Sequence, residues 1–256
     1  MLRILSVIFF GLLLFISPFP CYATREFKVY SAQTAVEGEL ETSVWNNYTS
    51  SNSQPYLFRG NPVSKSDLME YSLELEYGVT DRLTIEAYAD YEQPRGESFQ
   101  YVQAKAVLTR YHLFLEDEKF WDTSLYFEYS LPQETYDPSE ELETRLLLEK
   151  AIGRWSIRLN PILSKDVSGP GTTGGIEFSY AAGIYCRSFH YLVPALEFLG
   201  DLGELKSTPT HVHYVFPGFE INFGTGWKWE SGIGVGLTQE SDRMIIKNII
   251  SYSQLF

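Results

Sequence analysis

Cysteine is nearly absent from this chain: Cys21 and Cys186 are the two in 256 residues, and the first lies in a segment that reads as a leader. With one thiol left after that leader, neither an internal disulfide nor a cysteine-ligated zinc site can form, so the fold has to hold by packing and hydrogen bonding. Positive charge is scarce too. Twenty Lys and Arg stand against 33 Asp and Glu, a formal net charge of −13, and no basic stripe exists that would displace counterions from a nucleic acid. Long apolar runs stop after residue 16. Nothing downstream approaches the ~20 continuous apolar residues of a membrane helix, so any crossing of a bilayer has to be made by strands. Phosphate loops, zinc-protease helices and nucleotide fingerprints are missing as well, and no cofactor or metal is expected.

The N-terminus has the layout of a secretory signal. Arg3 precedes the apolar run Ile4 to Ile16, Pro18 and Pro20 break any helix, and Cys21-Tyr22-Ala23 ends on small residues ahead of a cut at Thr24. The expected organisation is a signal peptide at 1–23 and one barrel domain at 24–256. A lipoprotein anchored through Cys21 and an uncleaved anchor helix are the alternatives.

What is abundant is alternation. In "MEYSLELEYGVTDRLTIEAYADY", Met69, Tyr71, Leu73, Leu75 and Tyr77 share one parity and Glu70, Ser72, Glu74 and Glu76 the other. Successive strand side chains point to opposite faces, so this is a hairpin with one apolar and one charged face. The code recurs. Leu125, Phe127, Tyr129 and Leu131 oppose Ser124, Tyr126, Glu128 and Ser130, and Trp227, Trp229, Ile233 and Val235 oppose Lys228, Glu230, Gly232 and Gly234. Strands are expected near 38–48, 68–78, 82–92, 99–114, 122–131, 141–151, 154–164, 175–186, 190–199, 210–222, 226–238 and 244–256. Twelve is an even number, and long Pro-, Gly- or Ser-rich loops alternate with mostly short turns. An all-β transmembrane antiparallel up-and-down barrel of an outer membrane has these features. Two strands are irregular: apolar residues occupy both parities in 99–114, and in 210–222 the parity is expected to change at a bulge or bend around Pro217-Gly218. A soluble sandwich, with these rows packed between two sheets, is the competing architecture.

The C-terminal "MIIKNIISYSQLF" ends on Phe256 with Tyr252, Ile250 and Ile246 in one parity. It resembles the last strand by which outer-membrane proteins are recognised, which implies the barrel-assembly machinery as a partner beside outer-membrane lipid. "LEYGVTDRLTIEAYADY", "VPALEF" and "VFPGFEINFGTGWKWESGIGVGL" together look like the outer-membrane barrel family associated with the meta-pathway of phenol degradation. That resemblance implies a role in transport and brings no catalytic residues; it is no sign of phenol chemistry.

In such a barrel Glu70, Glu74, Glu76, Glu86, Asp90, Glu128, Glu141, Glu143, Glu149, Glu177, Glu197 and Glu230 are expected to face the lumen, against Arg145, Arg158, Lys228, Lys105, Arg110 and Lys247. An acidic wall favours cations in a water-filled path. The same residues could pair among themselves in a filled lumen, since about twelve strands is intermediate between packed and open barrels. Three functions follow: a narrow porin-like or uptake channel for an unidentified small solute, a closed structural or adhesive barrel acting through its outer loops, or a lipid hydrolase at the rim. The hydrolase would need one of His112, His190, His211 and His213 as base, and no Ser lies in a recognisable nucleophile motif.

Overall fold

Alternation along a strand becomes a difference between two media once the strands close on themselves. The computed structural model describes residues 26–51, 55–114, 119–205 and 211–256; the expected leader at 1–23 lies outside them. Its strands are β1 (Glu39–Ser51), β2 (Pro55–Phe58), β3 (Asn61–Ser64), β4 (Leu68–Thr80), β5 (Leu83–Gln93), β6 (Gln100–Phe114), β7 (Asp122–Pro132), β8 (Glu140–Ile152), β9 (Trp155–Ser168), β10 (Glu177–Cys186), β11 (Leu192–Glu204), β12 (Val212–Asn222), β13 (Trp227–Gly236) and β14 (Met244–Leu255). All except β2 and β3 form one closed barrel in which each strand pairs antiparallel with its neighbours in the chain, so each of the twelve expected strands is present within a few residues. The seam is β1 against β14, in register from Glu39↔Leu255 to Ser51↔Met244. Closure leaves no sheet edge, which is the condition for spanning a bilayer with strands.

The outer surface is apolar. Leu75 is 45% exposed while its neighbour Glu74 is 0% exposed, and Leu73, Ile85, Leu163, Ile184, Ile233 and Ile250 are exposed in the same way. Aromatic rings collect at both rims, where amphipathic rings favour the headgroup level. Tyr71, Tyr91, Phe99 and Tyr101 cluster at one, with the Tyr91 and Phe99 rings stacked at 5.1 Å. Trp227 and Tyr252 meet at 4.9 Å at the other.

The turns 81–82, 153–154, 187–191 and 223–226 lie at the end that holds both Glu39 and Leu255. Gly153 supplies the left-handed residue of one two-residue turn (φ 59°). Longer connections lie at the opposite end, including a short 3-10 turn (Pro170–Thr173) and the unexpected hairpin β2–β3 within what reads as one long polar loop. That hairpin turns at Arg59-Gly60, both at positive φ, and packs Tyr56 and Phe58 on Leu68 and Tyr136. Short turns mark the periplasmic end and long loops the outer end.

The bulge and change of parity expected in 210–222 are not there. From Tyr214↔Gly236 to Asn222↔Lys228 the β12–β13 pairing keeps a single register, and the inward parity carries Tyr214 and Phe216 as well as Glu220. These rings point inward because apolar groups await them in the bore, and Gly234 is small because a Cβ there would lie 2.3 Å from the Phe216 ring. The real irregularity is in β6. A register shift between Val107 and Thr109 puts Lys105 and Val107, then Arg110 and His112, on the inward side, which explains the apolar residues on both parities.

Two outcomes test this arrangement. The purified protein is expected to migrate faster on a detergent gel before boiling than after. Replacing the lipid-facing Leu75 by Arg is expected to cost about 2–4 kcal/mol of barrel stability, measured by urea unfolding in liposomes, whereas Leu75→Ile should be nearly silent.

Candidate functional site

Twelve strands enclose a bore wide enough to need filling, and the chain fills it with its own N-terminal segment. Residues 26–38, here called the strap, run from Gly38 at the periplasmic rim into the lumen, and Glu26 lies against the inward side chains of β6 and β8. An extended segment presents alternate side chains to opposite walls. Phe27 and Val29 pack on Ala181, Tyr185, Leu199, Tyr214, Phe216 and Ile245. Tyr30 and Ala32 pack on Trp45, Tyr88, Val107, Tyr126, Leu147 and Ile249.

The strap belongs to no sheet. Wall side chains satisfy its backbone instead: Asn160 accepts from the Tyr30 N–H (2.8 Å) and donates to the Tyr30 carbonyl (3.1 Å), Lys247 donates to the Phe27 carbonyl (2.8 Å), and Thr84 accepts from the Ala35 N–H (3.1 Å). Ser124 donates to the Ala32 carbonyl, and Glu149 accepts from the Ser31 hydroxyl (2.6 Å) and the Ala32 N–H (3.3 Å). Buried polar groups require such partners.

The expected inward residues occupy this bore. Glu70, Glu74, Glu76, Glu86, Asp90, Glu128, Glu149, Glu197, Glu230, Arg145 and Arg158 are buried, as are Lys105, Arg110 and Lys247. Glu141, Glu143 and Lys228 are partly exposed, and Glu177 is exposed at the outer rim. Three groups of charges come together. Arg110 bridges Glu76 (3.3 Å) and Glu86 (2.6 Å), while Glu74 accepts from Trp45 Nε1 (2.8 Å) and Tyr88 Oη (2.7 Å) with Lys28 at 3.5 Å. Arg145 pairs with Glu143 and Glu26 and stacks on the Tyr30 and Tyr126 rings at 4.8 and 5.0 Å. Arg158 pairs with Glu220 (3.0 Å) and Glu149 (3.4 Å) and lies 3.9 Å over Tyr185, whose hydroxyl donates to Glu197 (2.8 Å).

The Glu74, Glu76 and Glu86 carboxylates lie within 4.8 Å of one another, close enough to resemble a metal-binding trio. Their oxygens already serve the cations Arg110 and Lys28 and accept hydrogen bonds from Trp45 and Tyr88.

Outward of the strap, the bore widens into a vestibule of about 510 Å³. Glu26, Phe27 and Lys28 form part of its lining, with Glu141, Glu143, Asp166, Glu177, Asp201 and Glu204 from the walls. Glu141, Asp166, Glu177 and Glu204 have no ion pair among the described residues. Lys165 also lines the vestibule and donates to the carbonyls of Thr172 (3.0 Å) and Gly174.

Sequence reasoning missed Glu26, Lys28, Tyr30, Trp45, Asn160 and Glu220 as members of the site. The clue was available in "EFKVYSA", an alternating segment with no strand to pair with, ahead of the first barrel strand.

Because Arg110 is the charge between two buried carboxylates, Arg110→Leu is expected to cost about 3–5 kcal/mol of barrel stability by leaving them uncompensated. Urea unfolding in liposomes measures it, and the triple change Arg110→Leu, Glu76→Leu, Glu86→Leu should recover most of the loss.

Solved structures share this architecture. An outer membrane channel from Pseudomonas putida F1 is 13% identical with a TM-score of 0.58, over 90% of this chain and 100% of that one. The KdgM porin is 8% identical with a TM-score of 0.55, over 83% of this chain and 98% of that one. No protein-family profile matches the sequence, and no curated protein does. At such identities the likeness is one of fold. A closed twelve-stranded barrel with an apolar belt and short turns at the end that holds its termini is an outer-membrane protein.

Proposed function

We propose that this protein is a small-solute channel of the outer membrane, selective for cationic and neutral solutes and without enzymatic activity. The observation that carries the reading is the vestibule: about 510 Å³ of space at the outer end of the bore, whose acidic lining outnumbers its cations Lys28, Lys105, Arg145 and Lys165, with Glu141, Asp166, Glu177 and Glu204 in no ion pair among the described residues. Deeper in the bore each carboxylate cluster has its Arg or Lys, as a packed interior demands. At the mouth the balance is left acidic, which raises the local concentration of cations and repels anions. The sequence resemblance to the family associated with phenol degradation accords with a transport role, and the fold likeness to channels and porins agrees with it.

The filled bore favours a second reading, a closed barrel acting through its outer loops. A rim hydrolase fits less well. The His213 ring is engaged by Tyr180 Oη at 3.0 Å, and Ser241 meets the backbone of His213 rather than its imidazole. By the same reading residues 1–23 are a signal peptide, and the C-terminal Phe256, Tyr252 and Ile250, all outward-facing and exposed, are what the barrel-assembly machinery contacts.

Planar-bilayer recording across a KCl gradient separates these readings. The expected result is small unitary steps with a reversal potential of cation-selective sign, reduced when Glu141→Gln, Asp166→Asn and Glu177→Gln are combined. Silence under all voltages and salts would favour the closed barrel, and anion selectivity would remove the electrostatic argument.

A further inference from the structure

We propose that the strap is a hinged gate, closed by the Glu26 latch and opened by withdrawal of residues 26–37 toward the periplasm about Gly38. The proposal rests on the channel reading and deepens it, because it supplies the way in which a filled bore opens.

Three observations lead there. The first is how the strap is attached. At its base it is tied into the barrel: Gly38 N–H donates to the Gly78 carbonyl (2.9 Å), the Phe256 N–H donates to the Gly38 carbonyl (3.0 Å), and Gly38 takes the left-handed conformation (φ 83°) that a sharp change of direction requires. Ahead of Gly38, among the described residues, the bonds between strap and wall involve a side chain, apart from the turn bond that Glu39 N–H donates to the Val36 carbonyl (3.0 Å), so withdrawal breaks no rung of the sheet.

The second concerns what withdrawal leaves behind. A segment that carried the sole partner of a buried wall charge could not leave without stranding that charge. Here each wall charge that touches the strap has another partner in the wall. Lys105 keeps Glu128 (3.6 Å) and Asp90 (3.9 Å), and Arg145 keeps Glu143. Glu74 keeps Trp45 and Tyr88, Lys247 keeps Glu197, and Glu149 keeps Ser156 (2.5 Å), Arg158 and Arg187 (2.8 Å). Glu74 alone gives up its ion pair, with Lys28, and keeps two neutral donors; the other buried wall charges keep an opposite charge with or without the strap.

The third is the position of the latch. Glu26 is at the leading end of the strap, shared by Lys105 and Arg145, and it lines the vestibule. A solute arriving from outside reaches this contact through the vestibule, and a cationic one competes with Lys105 and Arg145 for the same carboxylate. Phe27 and Val29, buried on Phe216 and Tyr214, hold the gate shut in the absence of such a competitor.

The test reads the gate separately from the current. In a Cys186→Ser background, Ala32→Cys places a thiol at a position that is fully buried while the strap is seated. Its reaction with a membrane-impermeant maleimide in liposomes is compared in three forms: otherwise unchanged, with Glu26→Gln, and with Asn160→Ala, which removes both side-chain bonds to the Tyr30 backbone without touching an ion pair. Losing a charge-assisted or paired hydrogen bond at the latch is expected to raise the labelling rate about tenfold in either variant. The unboiled gel shift, retained in each, shows that the barrel itself stays folded, and should one variant fail that check the other is read. Single-channel open probability is expected to rise in parallel at unchanged unitary conductance. Equal labelling in all three forms overturns the gate. Faster labelling with no current in any form keeps the gate and removes the channel reading instead.

Discussion

A cylinder whose inner side chains meet across a narrow bore cannot leave a carboxylate without a partner, and the interior of this protein is organised around that constraint. The apolar outside is set by lipid, and alternation then delivers every second residue of twelve strands to the inside whether or not the interior has room for charge. The chain answers with clusters rather than isolated pairs. Arg110 serves two carboxylates, Arg145 serves Glu143 and the strap's Glu26, and Arg158 serves Glu149 and Glu220. Arginine is the fitting cation because its planar fork reaches two acceptors and its faces stack on rings, as over Tyr30, Tyr126 and Tyr185.

The strap follows from the same constraint. Inward-facing Trp45, Tyr88, Tyr126, Tyr185, Tyr214 and Phe216 would line a wet bore poorly, but around a central extended segment they become two collars of a core. The strap touches side chains of β5, β6, β7, β8, β9, β12 and β14, so it performs for the barrel what a packed centre performs for a soluble domain. Because it is not a strand, its contacts are sums of modest side-chain bonds and apolar burial, each weaker than a zipped ladder. That difference separates a wall that persists from a filling that exchanges.

How much of this was legible in the sequence depended on whether a periodic rule applied. A period of two places Glu74 inside and Leu75 outside from sequence alone, and the same rule places all twelve barrel strands; the turns it expects at 78–82 and 152–154 are the shorter 81–82 and 153–154. It is silent about the place of residues 26–38, because a segment without a pairing partner, even one that alternates, is recognised only by its fit to a bore that other residues build. The error at β12 has the same origin. Tyr214 and Phe216 sit on the wrong face for a bore that is polar throughout; the inward apolar patch belongs with Phe27. The β6 shift was visible as mixed parity, but nothing local distinguished a bulge at Val107–Thr109 from the change of parity at Pro217-Gly218 that does not occur.

The division between mid-bore and mouth then has a physical reason. Carboxylates deep in the packed region are tolerable only with cations or hydrogen-bond donors at hand, so they gather around the Arg and Lys beside them. Carboxylates at the vestibule keep contact with water and need no such balance, and Glu141, Asp166, Glu177 and Glu204 accumulate there. The net negative charge of the chain is therefore not spread evenly through its lumen. It stands without ion pairs where a solute first arrives and is shared out among Arg and Lys where the barrel has to hold together, with Glu26 at the boundary between the two regimes.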